Sequence, residues 1–301
     1  MIKKFLILIT VVFSSLSYAQ QGSSSPYSFY GIGSLQFKGT VENQSMGGLS
    51  VYSDSIHINL RNPASFAGKN LKSFNNESRP IKYTVGGSHS EVKLSSGSQI
   101  DKSSTSSLDY LAIAIPLGKF GAGFGVLPYS SVGYKLQSTD ANDVVQYKYR
   151  GEGGLNRVFL GFGYQLSNDF RLGVDASYNF GNIKNTNIAF GYNSEGELLQ
   201  YHSREQNRSD LGGLTYNFGL MFSKLIKSNL EVTASATFSP SSELTSSNSR
   251  SYSTIVIDPT TQQEFTINIS EVDLSVFNLQ TTKLTLPSKT SFGFGVGAPR
   301  K

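Results

Sequence analysis

Four charged residues in the second half of the chain are the best candidates for chemistry inside a folded protein. Each belongs to the polar register of a stretch in which apolar and polar residues alternate: Arg157, Arg171, Asp175 and Glu231. If such a stretch is one strand of a β-barrel, its polar register faces the lumen. Charges there either line a path for solutes or pair with an element that fills the barrel, because buried charges need partners. The sequence leaves both interpretations open.

Catalytic signals are scarce. The three histidines, His57, His89 and His202, lie in separate segments without the spacing of metal ligands, and the cysteine count is 0. We expect all three at the surface or in loops. Serines flank His89, which is the one hint of a hydrolase, but neighbours in a strand point to opposite faces. The sequence therefore predicts no enzyme, no metal site and no cofactor.

Two glycine-rich runs, Gly121–Gly125 and Gly293–Gly297, superficially resemble nucleotide-binding loops. They lie inside alternating stretches and not between a strand and a helix, so the phosphate-loop interpretation lacks its structural context. Glycine on the inner register of a barrel wall instead lets an inner element approach closely.

The strand that must position two of these four residues is the clearest in the chain. Between positions 170 and 180, apolar residues occupy every second place: Phe170, Leu172, Val174, Ala176, Tyr178 and Phe180. Side chains of a strand alternate between its two faces, so one face is wholly apolar and the other carries Arg171 and Asp175. A run of about eleven residues is the length that a tilted strand needs to cross a bilayer.

Further alternating runs come in pairs around short turns. The clearest turns are Gly118-Lys119, Ser167-Asn168-Asp169 and Lys227-Ser228-Asn229, and long polar segments that we interpret as loops cover residues 133–152, 182–211 and 240–288. Short turns at one end and long loops at the other are typical of outer-membrane barrels, whereas a soluble β-sandwich shares only the alternation. The residues therefore predict an all-β, antiparallel transmembrane β-barrel with about eight recognisable strands.

The N-terminus predicts export. Lys3 and Lys4 precede a short apolar run, Phe5–Phe13, and Ser17-Tyr18-Ala19 fits a cleavage site, so residues 1–19 form a predicted signal peptide for Sec-type export. The apolar run is about half as long as a membrane-spanning helix. The net charge of +5 is too small and too dispersed for a nucleic-acid partner. We expect the outer membrane of a Gram-negative cell, in contact with lipid.

Residues 20–79 lack the alternation and indicate a folded but irregular element. Three of its motifs, Ser25–Gly33, Ser45–Gly48 and Asn62–Phe66, resemble the N-terminus of FadL/TodX-type outer-membrane transporters and their PorV-like relatives. The resemblance implies that residues 20–79 are a hatch plugging a barrel made by residues 80–301. The residues that it implies for the hatch are Asn62, Pro63, Ala64, Met46, Gly47 and Gly48.

The same resemblance implies a barrel of about fourteen strands. About six of these are not visible, and the chain ends at Lys301 without the terminal aromatic residue of a closing strand. We therefore expect a barrel that is truncated at its C-terminus.

Two functions follow from the resemblance. The first is passive transport of hydrophobic compounds such as long-chain fatty acids, with a hydrophobic small molecule as the ligand. No residue that contacts a fatty acid can be matched one to one. The alternative is a non-transporting barrel that serves as a scaffold or partner of a secretion-system or surface protein.

Overall fold

A computed structural model describes residues 25–52, 56–68, 80–96, 99–227 and 230–298 of the chain. The predicted signal peptide, residues 1–19, lies outside the described residues and stays a prediction. Within the described ranges, no helix has the length and apolar character that a membrane-spanning helix needs.

The dominant element is one antiparallel sheet of long strands. After the short β1 (Ser34–Leu35), its strands are β2 (Lys82–Ser96), β3 (Gln99–Leu117), β4 (Phe120–Thr139), β5 (Val145–Gln165), β6 (Phe170–Ala189), β7 (His202–Lys227), β8 (Leu230–Ser239), β9 (Ser242–Ile257), β10 (Glu264–Val272), β11 (Thr281–Leu286) and β12 (Lys289–Gly297). The all-β, antiparallel class predicted from the sequence is confirmed.

Several of the later strands are segments of one continuous path. Phe218 of β7 pairs with Phe238 of β8, and Gly212 pairs with Thr245 of β9, so β8 and β9 together run along β7. Strands β10, β11 and β12 then run back along β9 and β8. Pro240 and Pro287 lie at the interruptions, as expected for a residue that cannot donate to the sheet.

The sheet curls into a half-barrel. Its order from one edge to the other is β10-β9-β7-β6-β5-β4-β3-β2, with β11 and β12 continuing the first edge, and none of the described strands joins the two edges. The expectation of about fourteen strands, and of a truncated barrel, stays a prediction.

The convex face of the sheet carries an apolar band. In β6, Phe170, Leu172 and Tyr178 are exposed whereas Arg171 and Asp175 are buried, as the alternation predicts. The same pattern continues in the neighbouring strands, where the exposed apolar residues include Leu111, Ile113, Ile115, Phe124, Leu160, Phe162, Leu214, Phe218, Leu220, Phe238, Phe292 and Phe294. An apolar row on the outside of a curled sheet is the pattern of a lipid-facing wall.

The polar segments interpreted as long loops are mostly strand, and that prediction is wrong. Strands β4 and β5 continue to a turn at residues 140–144, and β6 and β7 continue to a connection at residues 190–201. Strands β9, β10 and β11 occupy most of residues 240–288. Over most of these stretches the alternation is missing, because polar residues occupy both registers. We call residues 132–152, 182–211 and 242–286 the polar extension.

The extension is a folded part of the sheet with its own core. Beside the band, β4 has a bulge between Pro128 and Ser130, and Gly153 of β5 adopts a φ of 113° that L-residues avoid. Buried apolar side chains pack on the inner face next to this junction: Val132, Tyr134, Leu155, Ile183, Leu211 and Leu244.

The N-terminal segment, described at residues 25–52 and 56–68, lies on the concave face. It contains two 3-10 helices, Pro26–Phe29 and Pro63–Phe66, together with β1 and helix α1 (Val41–Ser45). Strand β1 pairs with β4 through Ser34 and Ser131, and the second 3-10 helix contacts β3 to β7. The segment is thus held by the inner wall.

Candidate functional site

The inner wall holds the N-terminal segment most tightly at the 3-10 helix Pro63–Phe66. Asn62 caps this helix, because its Oδ1 accepts the backbone N–H of Ala64 at 3.0 Å, and proline follows at the first helical position, where its missing N–H is harmless. The Asn62 Nδ2 donates to the carbonyl of Leu220 in β7 at 3.1 Å. One buried amide therefore both starts the helix and ties it to the wall.

Six glycines on the inner registers of β4 to β7 make room for this helix. We call them the glycine seat: Gly121, Gly123, Gly161, Gly163, Gly173 and Gly219. A Cβ at Gly173 would overlap the backbone nitrogen of Ala64, and one at Gly219 would overlap the Oδ1 of Asn62. At Gly123 it would overlap the ring of Phe66. The seat is therefore shaped for backbone that lies directly on the strands.

Apolar packing completes the contact. The Phe66 ring stacks on Phe159 of β5 with centroids 6.5 Å apart and an angle of 7° between the planes. Both rings belong to a buried cluster with Ile58, Leu60, Tyr110, Ala112, Ala114 and Leu127. Burying these side chains is the main favourable term that holds the segment on the sheet.

Beside the seat, Asp175 of β6 anchors a second part of the segment. Its Oδ2 lies 3.3 Å from the Lys38 Nζ and accepts the Asn217 Nδ2 at 2.8 Å, while its Oδ1 accepts the Ser177 hydroxyl at 3.2 Å. Asn217 also donates to the carbonyl of Arg61 at 3.2 Å. A buried carboxylate with three donors is well satisfied, and two of its links reach the N-terminal segment.

Burial and the Asp175 carboxylate have the largest effects on the electrostatics at Lys38. Burial lowers the pKa of Lys38, the Asp175 carboxylate opposes this shift, and the charges of Arg157 and Arg61 lower the pKa further. Asp175 thus stabilises the ammonium against both desolvation and two guanidinium groups.

Arg157 is held rigidly without a carboxylate partner. Its Nε donates to the Asn179 Oδ1 at 3.0 Å, and its Cζ lies 4.4 Å from the ring centroid of Tyr129. Arg157 and Asp175 both line a cavity of about 760 Å³ between the N-terminal segment, β4 to β7 and the β11–β12 edge. A guanidinium fixed in this way is available to an anion in the cavity.

The other predicted site residues are spread out. Met46 and Gly47 are exposed at the end of α1, away from the seat. Gly48 accepts a hydrogen bond from the Arg61 Nη1 at 2.7 Å. Arg171 is buried in β6, and Glu231 of β8 is half-buried, near the end of the β12 pairing. Of the four predicted lumen-facing charges, Arg157 and Asp175 line the cavity.

The histidines do not form a site. His202 is buried at the start of β7 with its ring 4.9 Å from Phe190, contrary to the expectation of a surface position. The His89 Nδ1 lies 2.8 Å from the Ser106 Oγ across the β2–β3 hairpin, and neither adjacent serine is its partner. Both side chains of that pair are exposed. Among the described residues, no group of acidic and histidine side chains could hold a metal ion.

Sequence reasoning missed Lys38 and Asn217. Lys38 lies in an irregular segment where no alternating pattern indicates which way a side chain points. Its partner Asp175 is 137 positions away. Asn217 occupies the polar register of the alternating run in β7, which is the one signal that could have placed it on the inner wall.

Comparison with models of protein families shows which family the chain belongs to. The family model BamG matches residues 1–301, which is the whole chain. The chain belongs to the BamG family. BamG is related to the BAM complex and indicates a β-barrel-associated role in outer-membrane assembly. No curated protein and no solved structure matches the chain.

The BamG match corrects the resemblance to FadL/TodX transporters, which is wrong. The motifs behind that resemblance are short, and Asn62-Pro63 is explained locally as a helix cap followed by a proline at the first helical position. The transport interpretation loses its support with the resemblance. The BamG match and the β-rich fold are consistent with an outer-membrane or envelope location.

Proposed function

We propose that this BamG-family chain is a membrane-embedded structural partner in outer-membrane protein assembly, and neither a transporter nor an enzyme. The observation that carries the proposal is the length of the strands. A tilted strand crosses a bilayer with about 9–11 residues. Strands β5, β6 and β7 have 21, 20 and 26 residues.

The residues beyond those needed to cross the bilayer lie at one end of the strands. The apolar band occupies the halves of the strands next to the turns at residues 118–119 and 166–169, and the polar extension occupies the opposite halves. At about 3.4 Å per residue, ten surplus residues project the sheet roughly 30 Å beyond the band. A scaffold gains a rigid surface from such a projection.

The extension carries ion pairs that rigidify it. Glu264 of β10 pairs with Arg150 of β5 at 2.9 Å and with Arg204 of β7 at 3.4 Å, so one carboxylate links two non-adjacent strands. Exposed pairs contribute little to stability singly, and a shared partner in a network contributes more.

One edge of the extension is apolar and exposed. Phe265, Ile267 and Ile269 of β10 are 51%, 59% and 57% exposed on an edge strand, in a region that is otherwise rich in serine and charge. A bulge at Ile267 shifts the register against β9, so these side chains are exposed on both faces of the edge and not in a single row. Exposed apolar side chains on a free strand edge are a typical protein-docking surface. We assign this exposed edge to contact with a protein partner of the assembly process.

The proposal gives the N-terminal segment the role of a plug. Residues 25–52 and 56–68 include the parts that lie in the glycine seat and against Asp175, so they cover much of the concave side of the sheet beside the cavity. An inner face covered in this way supports the scaffold role.

Site-specific photo-crosslinking in cells tests the proposal. A photoreactive residue in place of Ile267 is expected to give adducts with components of the BAM complex, identified by mass spectrometry. The same residue in place of Leu220, on the apolar band, serves as the matched control and is expected not to give them. Adducts at neither position, or equal adducts at both, would contradict a docking role for the extension.

A further inference from the structure

The cavity beside the glycine seat has an unbalanced charge. Its charged lining residues are four bases and one acid: Lys38, Arg61, Arg157, Lys289 and Asp175. The single carboxylate is already engaged by Lys38, Asn217 and Ser177. Positive charge held in a partly desolvated cavity is costly unless an anion compensates it.

The two arginines lack carboxylate partners. Arg61 donates to the Gly48 carbonyl and its Cζ lies 5.3 Å from the Phe37 ring centroid, but no acidic group of the described chain is within ion-pair distance. Arg157 is bound only through its Nε and its stacked face. Throughout the described ranges, its two terminal amino groups have no hydrogen-bond partner.

This geometry orients Arg157 for a bidentate contact. Stacking on Tyr129 and the Asn179 hydrogen bond together fix the plane of the guanidinium, and Arg157 lines the cavity, so its two terminal amino groups are the donors left for a ligand there. The Lys38 ammonium, close enough to Arg157 for their charges to interact, adds a third donor. Planar forks of this kind match carboxylate and phosphate oxygens.

We propose that the cavity binds a phosphate group, with Arg157 as the principal contact and Lys38 and Arg61 as supporting charges. The excess of positive charge favours a dianion over a carboxylate, because a phosphate monoester carries about −1.5 to −2 charges at neutral pH. The phosphate belongs either to a lipid headgroup or to a free phosphate in the periplasm or medium. The inference is independent of the proposed assembly role.

Binding to the purified full chain in detergent micelles tests the site. The probes are inorganic phosphate, a phosphate-monoester lipid such as phosphatidic acid, and acetate, measured by isothermal titration calorimetry. Phosphate is expected to bind at least about tenfold more tightly than acetate. A lipid that binds much more tightly than inorganic phosphate assigns the site to a headgroup, and equal affinities assign it to free phosphate. Equal affinity for phosphate and acetate would overturn the proposal.

Variants locate the site. The substitution Arg157→Gln is expected to weaken phosphate binding at least about tenfold, and Arg208→Gln, which removes an exposed arginine of the polar extension paired with Asp210, is expected to leave it unchanged. Equal affinities of wild type and Arg157→Gln would overturn the assignment.

A measurement on the wild type covers the case in which Arg157→Gln does not fold. The second pKa of a phosphate monoester is about 6. The affinity of the wild-type chain for phosphatidic acid is therefore expected to fall several-fold between about pH 7.5 and pH 5, as the dianion becomes a monoanion. An affinity that stays constant across that range would contradict binding of a dianion.

Discussion

The Lys38 Nζ lies 3.3 Å from the Asp175 Oδ2, and this contact joins the N-terminal segment to the middle of β6 across 137 positions of sequence. Lys38 and Asp175 differ in exposure, since the side chain of Asp175 is 4% exposed and that of Lys38 is 24% exposed. The acid is therefore the buried partner, and the lysine reaches it from the cavity.

Removing the acid is expected to destabilise the fold more than removing both partners. In Asp175→Asn the ammonium of Lys38 keeps its positive neighbours and loses its anion, so we expect a loss of about 2–3 kcal/mol. The double variant Lys38→Met with Asp175→Asn is expected to recover part of that loss. Urea unfolding followed by heat-modifiable mobility on gels measures it, and additive effects of the two substitutions would argue against a direct pair.

The glycine seat predicts a position-dependent effect of one methyl group. Gly173→Ala is expected to cost about 1–3 kcal/mol and to expose the N-terminal segment to protease, because its Cβ has no space against Ala64. Gly297→Ala is the matched control, since a Cβ at Gly297 has no neighbour within 4 Å. Similar protease sensitivity in the two variants would mean that the segment does not lie in the seat.

Asn62 has two roles that substitutions can separate. Asn62→Ser keeps an oxygen for capping Ala64 but removes the donor to Leu220, whereas Asn62→Ala removes both. We expect Asn62→Ala to lose about 1 kcal/mol more than Asn62→Ser, which is the usual contribution of an N-cap. Thermal unfolding of the two variants in the same detergent measures the difference, and equal stabilities would show that the cap contributes nothing.

The band and the extension can be told apart with tryptophan, because the sequence contains none. Phe218→Trp places the probe on the band and Tyr252→Trp on the extension, at parent positions that are 48% and 47% exposed. In vesicles with brominated lipid acyl chains, we expect strong fluorescence quenching at position 218 and little at position 252. Equal quenching at both positions would contradict the proposed membrane boundary.

The turn between β4 and β5 offers a pH test outside the band. Backbone N–H groups of Val144 and Asn142 donate to Asp140 and hold the pKa of its carboxyl below the ordinary value of 3.8. The turn is therefore stabilised above the unfolded pKa, and this contribution is lost as the pH falls through the folded pKa. A carboxyl NMR titration should have its midpoint below that of the urea-unfolded chain; a midpoint at or above it would contradict the contacts.

The sequence predicted the strands of the band because lipid on one side and a packed interior on the other impose alternation. The run from Phe170 to Phe180 is the clearest case. It could not predict that residues 182–189 and 202–211 continue as strands, because both registers there are polar. These strands form because their backbones pair with neighbouring strands. Such pairing produces no recognisable pattern in the sequence of one strand alone.

The candidate site was predictable only in part. Arg157 and Asp175 could be predicted because each is a charged residue on the polar register of an alternating run. Lys38 has no such context, and its position depends on how residues 25–68 pack in three dimensions. The FadL/TodX resemblance failed because Asn62-Pro63 reports a local helix start, which proteins of different function share.

Depletion of the chain in its native cells tests the central claim most directly. Quantitative mass spectrometry of the outer membrane, combined with heat-modifiable mobility of its β-barrels, reports how much protein is assembled. A structural partner in assembly predicts that folded outer-membrane β-barrels decline after depletion and recover when the intact chain is restored. Unchanged levels of folded barrels after complete depletion would contradict that role.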